Sequence, residues 1–192
     1  MQGPTRILVI DNYDSFTYNL VHILQQLDVS VEVYRNNAIS LEQVGTYSHI
    51  LISPGPGIPA ESGIVPQVIE TYIHVRSIFG VCLGMQCILT HEGVEMVNMP
   101  EVQHGAQDQL EVRSHQGLFQ GLPDVIEVGR YHSWAFQPED VPDDYTVSAL
   151  SSDGYVMAIE HTTLPLCGVQ FHPESVMTSH GKKMIENWLS VG

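Results

Sequence analysis

Ser77-Ile78-Phe79-Gly80-Val81-Cys82-Leu83-Gly84 is the stretch whose reading decides the fold class. Ser77 to Val81 reads as a buried strand, and a helix is expected to begin near Leu83. Gly80 and Gly84 flank Cys82 in the pattern G-x-nucleophile-x-G, with Cys where hydrolases carry Ser. Glycines let a chain turn sharply from strand to helix without a β-carbon clash, and the turn lifts the side chain between them above the sheet. The following helix sets free N–H groups and its positive dipole end beside the sulfur, which favours a thiolate. The competing expectation is the ordinary fate of a free cysteine, packing in an apolar strand. Glycines at both flanking positions favour the nucleophile. Cys87, one turn along the helix, and Cys167, in a late strand, are expected to be packing residues.

Working outward, the first half alternates strand-like and helix-like segments. Arg6 to Ile10 is an apolar run ending at Asp11. Asp14 or Ser15 is positioned to cap a helix with apolar positions Phe16, Leu20, Ile23, Leu24 and Leu27. Val29 to Tyr34 alternates and is β-branched. His49 to Ser53 is a third strand, stopped by Pro54-Gly55-Pro56-Gly57, and Val65 to Val75 has a helical period. Strands and helices alternating at this spacing make a parallel sheet covered on both faces. In the second half, Gln109 to Val112, Val125 to Arg130, Val147 to Leu150, Tyr155 to His161 and Leu166 to Gln170 are strand-like, with few helical signals between them. Ser179 to Leu189 closes as a helix with Met184, Ile185 and Trp188 on its apolar face. The fold class is therefore α/β: an open, mostly parallel sheet with flanking helices and added antiparallel strands in the second half. Active sites in such sheets lie beyond the carboxyl ends of the parallel strands, here Asp11, Ser53 and Cys82.

Length and composition bound the rest. At roughly 150 residues per domain, a 192-residue chain is expected to form one domain over 1–192. With 7 Lys plus Arg against 22 Asp plus Glu, it lacks the cations for a nucleic-acid interface or an anionic membrane surface. No apolar stretch approaches the roughly 20 residues that span a bilayer. The start, Met1 to Arg6, leads into too short an apolar run for a signal peptide. Three cysteines make no disulfide framework, which fits a reducing cytoplasm.

A thiol nucleophile needs a base and an orienting carboxylate. His172 is distinguished among the ten histidines by its setting, Phe171-His172-Pro173-Glu174. A strand ends at the histidine, Pro173 forces a break, and Glu174 returns two residues on, able to orient an imidazole. Taken alone, a strand-end H-x-E also suits a surface ion pair. The histidines and cysteines lack the spacing of a metal site, and no metal or cofactor is expected.

Through these residues the chain resembles the class I, triad-type glutamine amidotransferases. Asp11-Asn12-Tyr13-Asp14-Ser15-Phe16-Thr17-Tyr18-Asn19, Ser53-Pro54-Gly55-Pro56-Gly57 and Arg130-Tyr131-His132-Ser133 narrow the resemblance. They are similar to the small subunits of anthranilate synthase and of 4-amino-4-deoxychorismate synthase, over roughly Arg6 to Leu189. The resemblance implies a flavodoxin-like open sheet and hydrolysis of L-glutamine, with ammonia delivered to a chorismate-using large subunit. Anthranilate synthase is the preferred branch; the folate-branch synthase, or service to both, is the alternative. It further implies Cys82 as nucleophile, His172 as base and Glu174 as orienting carboxylate. Gly55, Gly57 and the Leu83 N–H would face the substrate and its oxyanion, Gln86 would contact glutamine, and the backbone of Ser133 and Trp134 would hold its α-amino and carboxylate ends.

Two departures stand out. Met85 occupies a position that is usually His, and Ala106-Gln107-Asp108 stands where Lys-Thr-Ser is usual, in a segment one residue longer. Both bear on packing, partner docking and activation more than on the chemistry. Other readings fare worse on the residues. A glutaminase feeding a different synthase is disfavoured by Asp11 to Asn19. A thiol redox protein would need Cys87 to resolve Cys82, but Cys87 points away along the helix. A non-catalytic scaffold would not need an intact Cys-His-Glu set.

Overall fold

Side chains along an extended run point alternately to two faces, and in Arg6–Asp11 (β1) both faces are buried. Ile7 and Val9 enter one apolar cluster, Leu8 and Ile10 the other. The computed structural model describes residues 5–191. Met1–Pro4, where the sequence argues against a leader, and Gly192 lie outside them.

Four further strands run parallel to β1: Ser30–Arg35 (β2), His49–Ile52 (β3), Ser77–Val81 (β4) and Leu166–Val169 (β11). Four more continue the sheet with antiparallel pairing: Ala106–Val112 (β6), Val125–Arg130 (β7), Tyr145–Leu150 (β9) and Val156–His161 (β10). The nine-stranded order is β2-β1-β3-β4-β11-β10-β9-β6-β7. A short ladder, Val97–Asn98 (β5) with Trp134–Ala135 (β8), stands apart from it. Thr17–Gln25 (α1) and Gly181–Val191 (α5) cover one face, through Leu20, Leu24, Met184, Ile185 and Trp188. Leu41–Val44 (α2), Val65–Tyr72 (α3) and Leu83–His91 (α4) cover the other, through Val44, Val65, Val68, Met85 and Ile88. Among the described residues no helix is long and apolar enough to cross a membrane.

The sheet has the expected class, with corrections of detail. The sequence groups Leu166 to Gln170 with the antiparallel additions, yet β11 pairs parallel with β4 and antiparallel with β10. The turn after β10 inserts β11 between that strand and β4, so each of its edges meets a different direction. The helix expected from Val65 to Val75 ends at Tyr72, and the strand expected from Gln109 begins at Ala106. Neither Asp14 nor Ser15 caps α1; the position before it is Phe16, whose N–H donates to Asp14 Oδ2 at 2.7 Å. Phe16 itself is 44% exposed rather than part of the apolar face. The short α2 was not expected, although Ser40 and Gln43 form a capping box at its start.

The start of α4 sits directly on the strand ends. A β-carbon on Gly84 would lie 2.5 Å from the Ile52 carbonyl oxygen, and one on Gly80 would lie 2.5 Å from the Gly84 carbonyl carbon. Both contacts are with backbone, which cannot yield as a flexible side chain does. Met85 lies over Gly168 of β11 with its side chain fully buried, so the departure at this position is absorbed in the core. Gly84→Ala should therefore overpack the α4–β3 contact and lower stability by about 1–3 kcal/mol. Urea unfolding checks this; an unchanged midpoint would contradict the close approach.

Candidate active site

The strand-to-helix turn forces Cys82 to φ 52° and ψ −103°. Such a conformation costs a non-glycine residue about 1–3 kcal/mol and is held only where its surroundings determine it. Here the Cys82 N–H donates to Val169 O at 2.7 Å, and its carbonyl accepts from Gln86 N at 3.0 Å, closing the first turn of α4. Leu83 opens that turn, where a backbone N–H has no carbonyl four residues back to bond.

β11 delivers the second group. Beyond Val169 the chain continues to His172, whose N–H donates to Gly129 O at 3.1 Å and whose carbonyl accepts from Thr178 Oγ1 at 2.6 Å. Glu174 Oε1 meets His172 Nδ1 at 2.6 Å, with both side chains almost fully buried. Burial alone would disfavour the charged imidazole. Hydrogen bonds to Cys82 and Glu174, together with their charges, outweigh it and push His172 up to about 10. The three residues singled out in the sequence lie together here: His172 is bonded to Glu174 and shares a cleft with Cys82. Burial pushes the other two thiols up, Cys87 to about 11 and Cys167 well above its ordinary range, as suits inert packing residues.

Two open clefts meet at Cys82. One, of about 350 Å³, is lined by Gly55, Gly57, Gln86, Ser133 and Trp134, the residues named from the sequence, together with His132. The other, of about 280 Å³, is lined by Tyr13, Asp14, Phe16, His104 and His172. Tyr131 borders both, its ring 4.8 Å from that of His172 and 6.0 Å from that of Phe16. Asp14 is pushed up by burial. The loop after β3 is fixed by contact: a β-carbon on Gly55 would lie 2.5 Å from Asn12 Cβ and 3.0 Å from Leu83 Cδ2. Asn12 in turn staples β1 to that loop, donating from N to Ser53 Oγ and from Nδ2 to Ser53 O, each at 2.9 Å.

Three side chains escaped the sequence reading. Gln170 Nε2 donates to Cys82 Sγ at 3.5 Å, and its Oε1 accepts from Gln86 Nε2 at 3.3 Å. Its signal was a polar residue within an otherwise buried apolar run, two positions before His172. Tyr131 lies inside a quoted motif but drew no role. Arg130, also in that motif, is 2% exposed and pairs with Asp108 and Asp153 at 2.7 and 2.9 Å. The Trp134 carbonyl already accepts from His132 Nδ1 at 2.9 Å and from Gln86 Nε2 at 3.4 Å. Among the described residues no group of three His, Cys, Asp or Glu is placed to hold a metal ion. What the arrangement can do is attack an electron-poor carbon with sulfur and move a proton through a carboxylate-oriented imidazole.

Comparison with known proteins places this geometry. Residues 8–191 match the family model described as glutamine amidotransferase class-I. The aminodeoxychorismate/anthranilate synthase component 2 of Bacillus subtilis is 44% identical over 187 residues, covering 95% of each chain. The anthranilate synthase component 2 of Mycobacterium tuberculosis is 40% identical over 190 residues, covering 96% of this chain and 82% of its own. A crystal structure of a protein from Thermoplasma acidophilum, assigned as a GMP synthase subunit, superposes with a TM-score of 0.90 at 27% identity. It spans 100% of this chain and 95% of that one.

His132 makes the site sensitive to acid. Burial first, and then the charge of Arg130, drive it from its ordinary 6.5 down to about 4. As pH falls, the unfolded chain takes up this proton before the folded one does. Its contribution is thus intact above about 6.5 and is lost as pH falls towards 4, about 3 kcal/mol in all. Urea unfolding of wild type and His132→Asn from pH 7 to 4 should show the wild type losing that much more stability. Parallel pH profiles would contradict it.

Proposed function

The chain belongs to the class-I glutamine amidotransferase family, and we propose that Cys82, His172 and Glu174 carry out its glutaminase reaction. The observation that carries this reading is the buried His172, hydrogen-bonded to Glu174 and lining the same cleft as Cys82. The Cys82 sulfur attacks the side-chain carboxamide carbon of L-glutamine. The oxyanion that forms is met by the N–H of Leu83 at the start of α4 and by backbone N–H groups of Gly55 to Gly57. Losing one such donor typically costs about 10²–10³ in rate. The His172 imidazolium protonates the departing nitrogen, so the C–N bond breaks with release of ammonia and leaves a thioester on Cys82. His172, now neutral, takes a proton from water; the hydroxide adds to the thioester, and sulfur leaves. Glutamine and water become glutamate and ammonia, and the enzyme is restored. Gln86 and the Ser133–Trp134 backbone are placed in the cleft where the α-amino and carboxylate ends of glutamine would lie.

The chain is read as the glutaminase component of a chorismate-using synthase, partnered by the large subunit of that synthase. The names of its relatives from Bacillus subtilis and Mycobacterium tuberculosis support this, and favour anthranilate synthase. The Bacillus subtilis name carries the aminodeoxychorismate branch as well, so that branch is the second reading. One sheet with α5 packed against α1 supports a single domain over 1–192. Three free cysteines support a reducing, cytoplasmic setting.

Ammonia release from glutamine should be abolished in Cys82→Ala and lowered about 10²–10⁴-fold in kcat in His172→Asn. Wild-type rates in either variant would refute the assignment. Adding the anthranilate synthase large subunit should raise glutaminase activity and yield glutamine-dependent anthranilate. Product formed only with the aminodeoxychorismate synthase large subunit would move the chain to the other branch, and product with neither would refute the partner.

A further inference from the structure

The Arg130 guanidinium lies at the end of β7, almost wholly out of water, and its fork is used on three sides. Nη1 donates to Asp108 Oδ2 at 2.7 Å and to Asp153 Oδ1 at 2.9 Å, while Nε donates to His132 Nε2 at 3.2 Å. A buried cation is tolerated only with partners of this kind. One carboxylate would neutralise it. The second carboxylate and the histidine need a different explanation.

We propose that Arg130, clamped by Asp108 and Asp153, is a positioning residue that acts through His132 to fix the Ser133–Trp134 wall of the substrate cleft. This rests on reading that cleft as the glutamine site. A guanidinium nitrogen only donates, so His132 Nε2 must accept and carries no proton. The ring's single proton is then on Nδ1, which donates to the Trp134 carbonyl at 2.9 Å. Arg130 thus selects the tautomer, and the tautomer ties down the backbone that faces substrate. Other bonds hold the same segment: Met99 N donates to Ser133 O at 2.9 Å, and Gln103 N to His132 O at 3.1 Å. The Trp134 carbonyl also accepts from Gln86 Nε2, and through Gln170 the connection reaches Cys82 Sγ. The groups that bear on the His132 charge are Arg130 and His172, which oppose it, and Asp153, which favours it; burial with Arg130 keeps the ring neutral. Asp108 falls in the segment that departs from the usual Lys-Thr-Ser. In this chain the segment supplies an acid that grips Arg130 instead of a cation.

The test is glutaminase kinetics on the full chain. His132→Leu should raise the glutamine KM about tenfold, the loss expected for one buried hydrogen bond, with kcat changed less than threefold. His132→Asn, whose amide nitrogen takes the place of Nδ1, should bring KM back to within about threefold of wild type. Asp153→Asn, at a partly exposed side chain, should raise KM about two- to fivefold at unchanged kcat. An unchanged KM in a folded His132→Leu, or a fall in kcat alone, would overturn the proposal. Should His132→Leu not fold, imidazole ¹⁵N signals of the wild type decide: a neutral ring protonated on Nδ1 is expected, and a proton on Nε2 overturns it. A wild type without glutaminase activity would instead sink the reading of the cleft as a glutamine site.

Discussion

Everything at the site depends on how closely the first turn of α4 approaches the ends of β3 and β4. Gly84 rests against the Ile52 carbonyl and Gly80 lies under the carbonyl of Gly84, with no room for a β-carbon at either position. That approach holds Cys82 at a positive φ, at the start of α4. β11 runs parallel to β4, and its chain direction carries His172 to the same end of the sheet. Met85, buried over β11, packs the same junction from the helix side.

Two histidines near this nucleophile are held in opposite charge states by the same kinds of force. Burial works against the charged form of both. At His172, hydrogen bonds to Cys82 and Glu174 and their charges win, and the ring is held protonated. At His132 the nearest charge is the Arg130 guanidinium, which adds to burial, and the ring is held neutral. In the proposed mechanism the first ring gives up a proton to a leaving group; the second holds the Trp134 carbonyl. In the proposed mechanism the cleft wall orients the substrate, and that wall is tied through His132 to Arg130.

The elbow, the His172–Glu174 pair and the parallel half of the sheet were legible because each is written locally. Glycines flank the cysteine, a proline separates the histidine from a carboxylate two residues on, and strands alternate with helices at regular spacing. What the sequence concealed depends on contacts across long separations. Whether Leu166 to Val169 pairs with β4 or only with β10 is decided 88 residues away, and the apolar run reads the same in both cases. Gln170 meets Cys82 across 88 residues, and Arg130 meets Asp108 and Asp153 across 22 and 23. A lone Arg in a strand carries no mark of burial until its two acids are seen together. Phe16 misled in another way: it fits the apolar period of α1, but Asp14 turns the chain just before the helix and leaves the ring at the mouth of the cleft beside Tyr131. Periodicity identifies the face of a helix and says least about its first residue.

The proposed mechanism stands on a covalent intermediate at Cys82. The most direct measurement is to mix the enzyme with carbon-labelled L-glutamine, quench in acid within the first turnovers, and map the label by mass spectrometry of peptides. The mechanism predicts a glutamyl thioester on the peptide carrying Cys82, at the sulfur of that residue and not of Cys87. Label on Cys87, or glutamate formed with no label retained on Cys82, would contradict it.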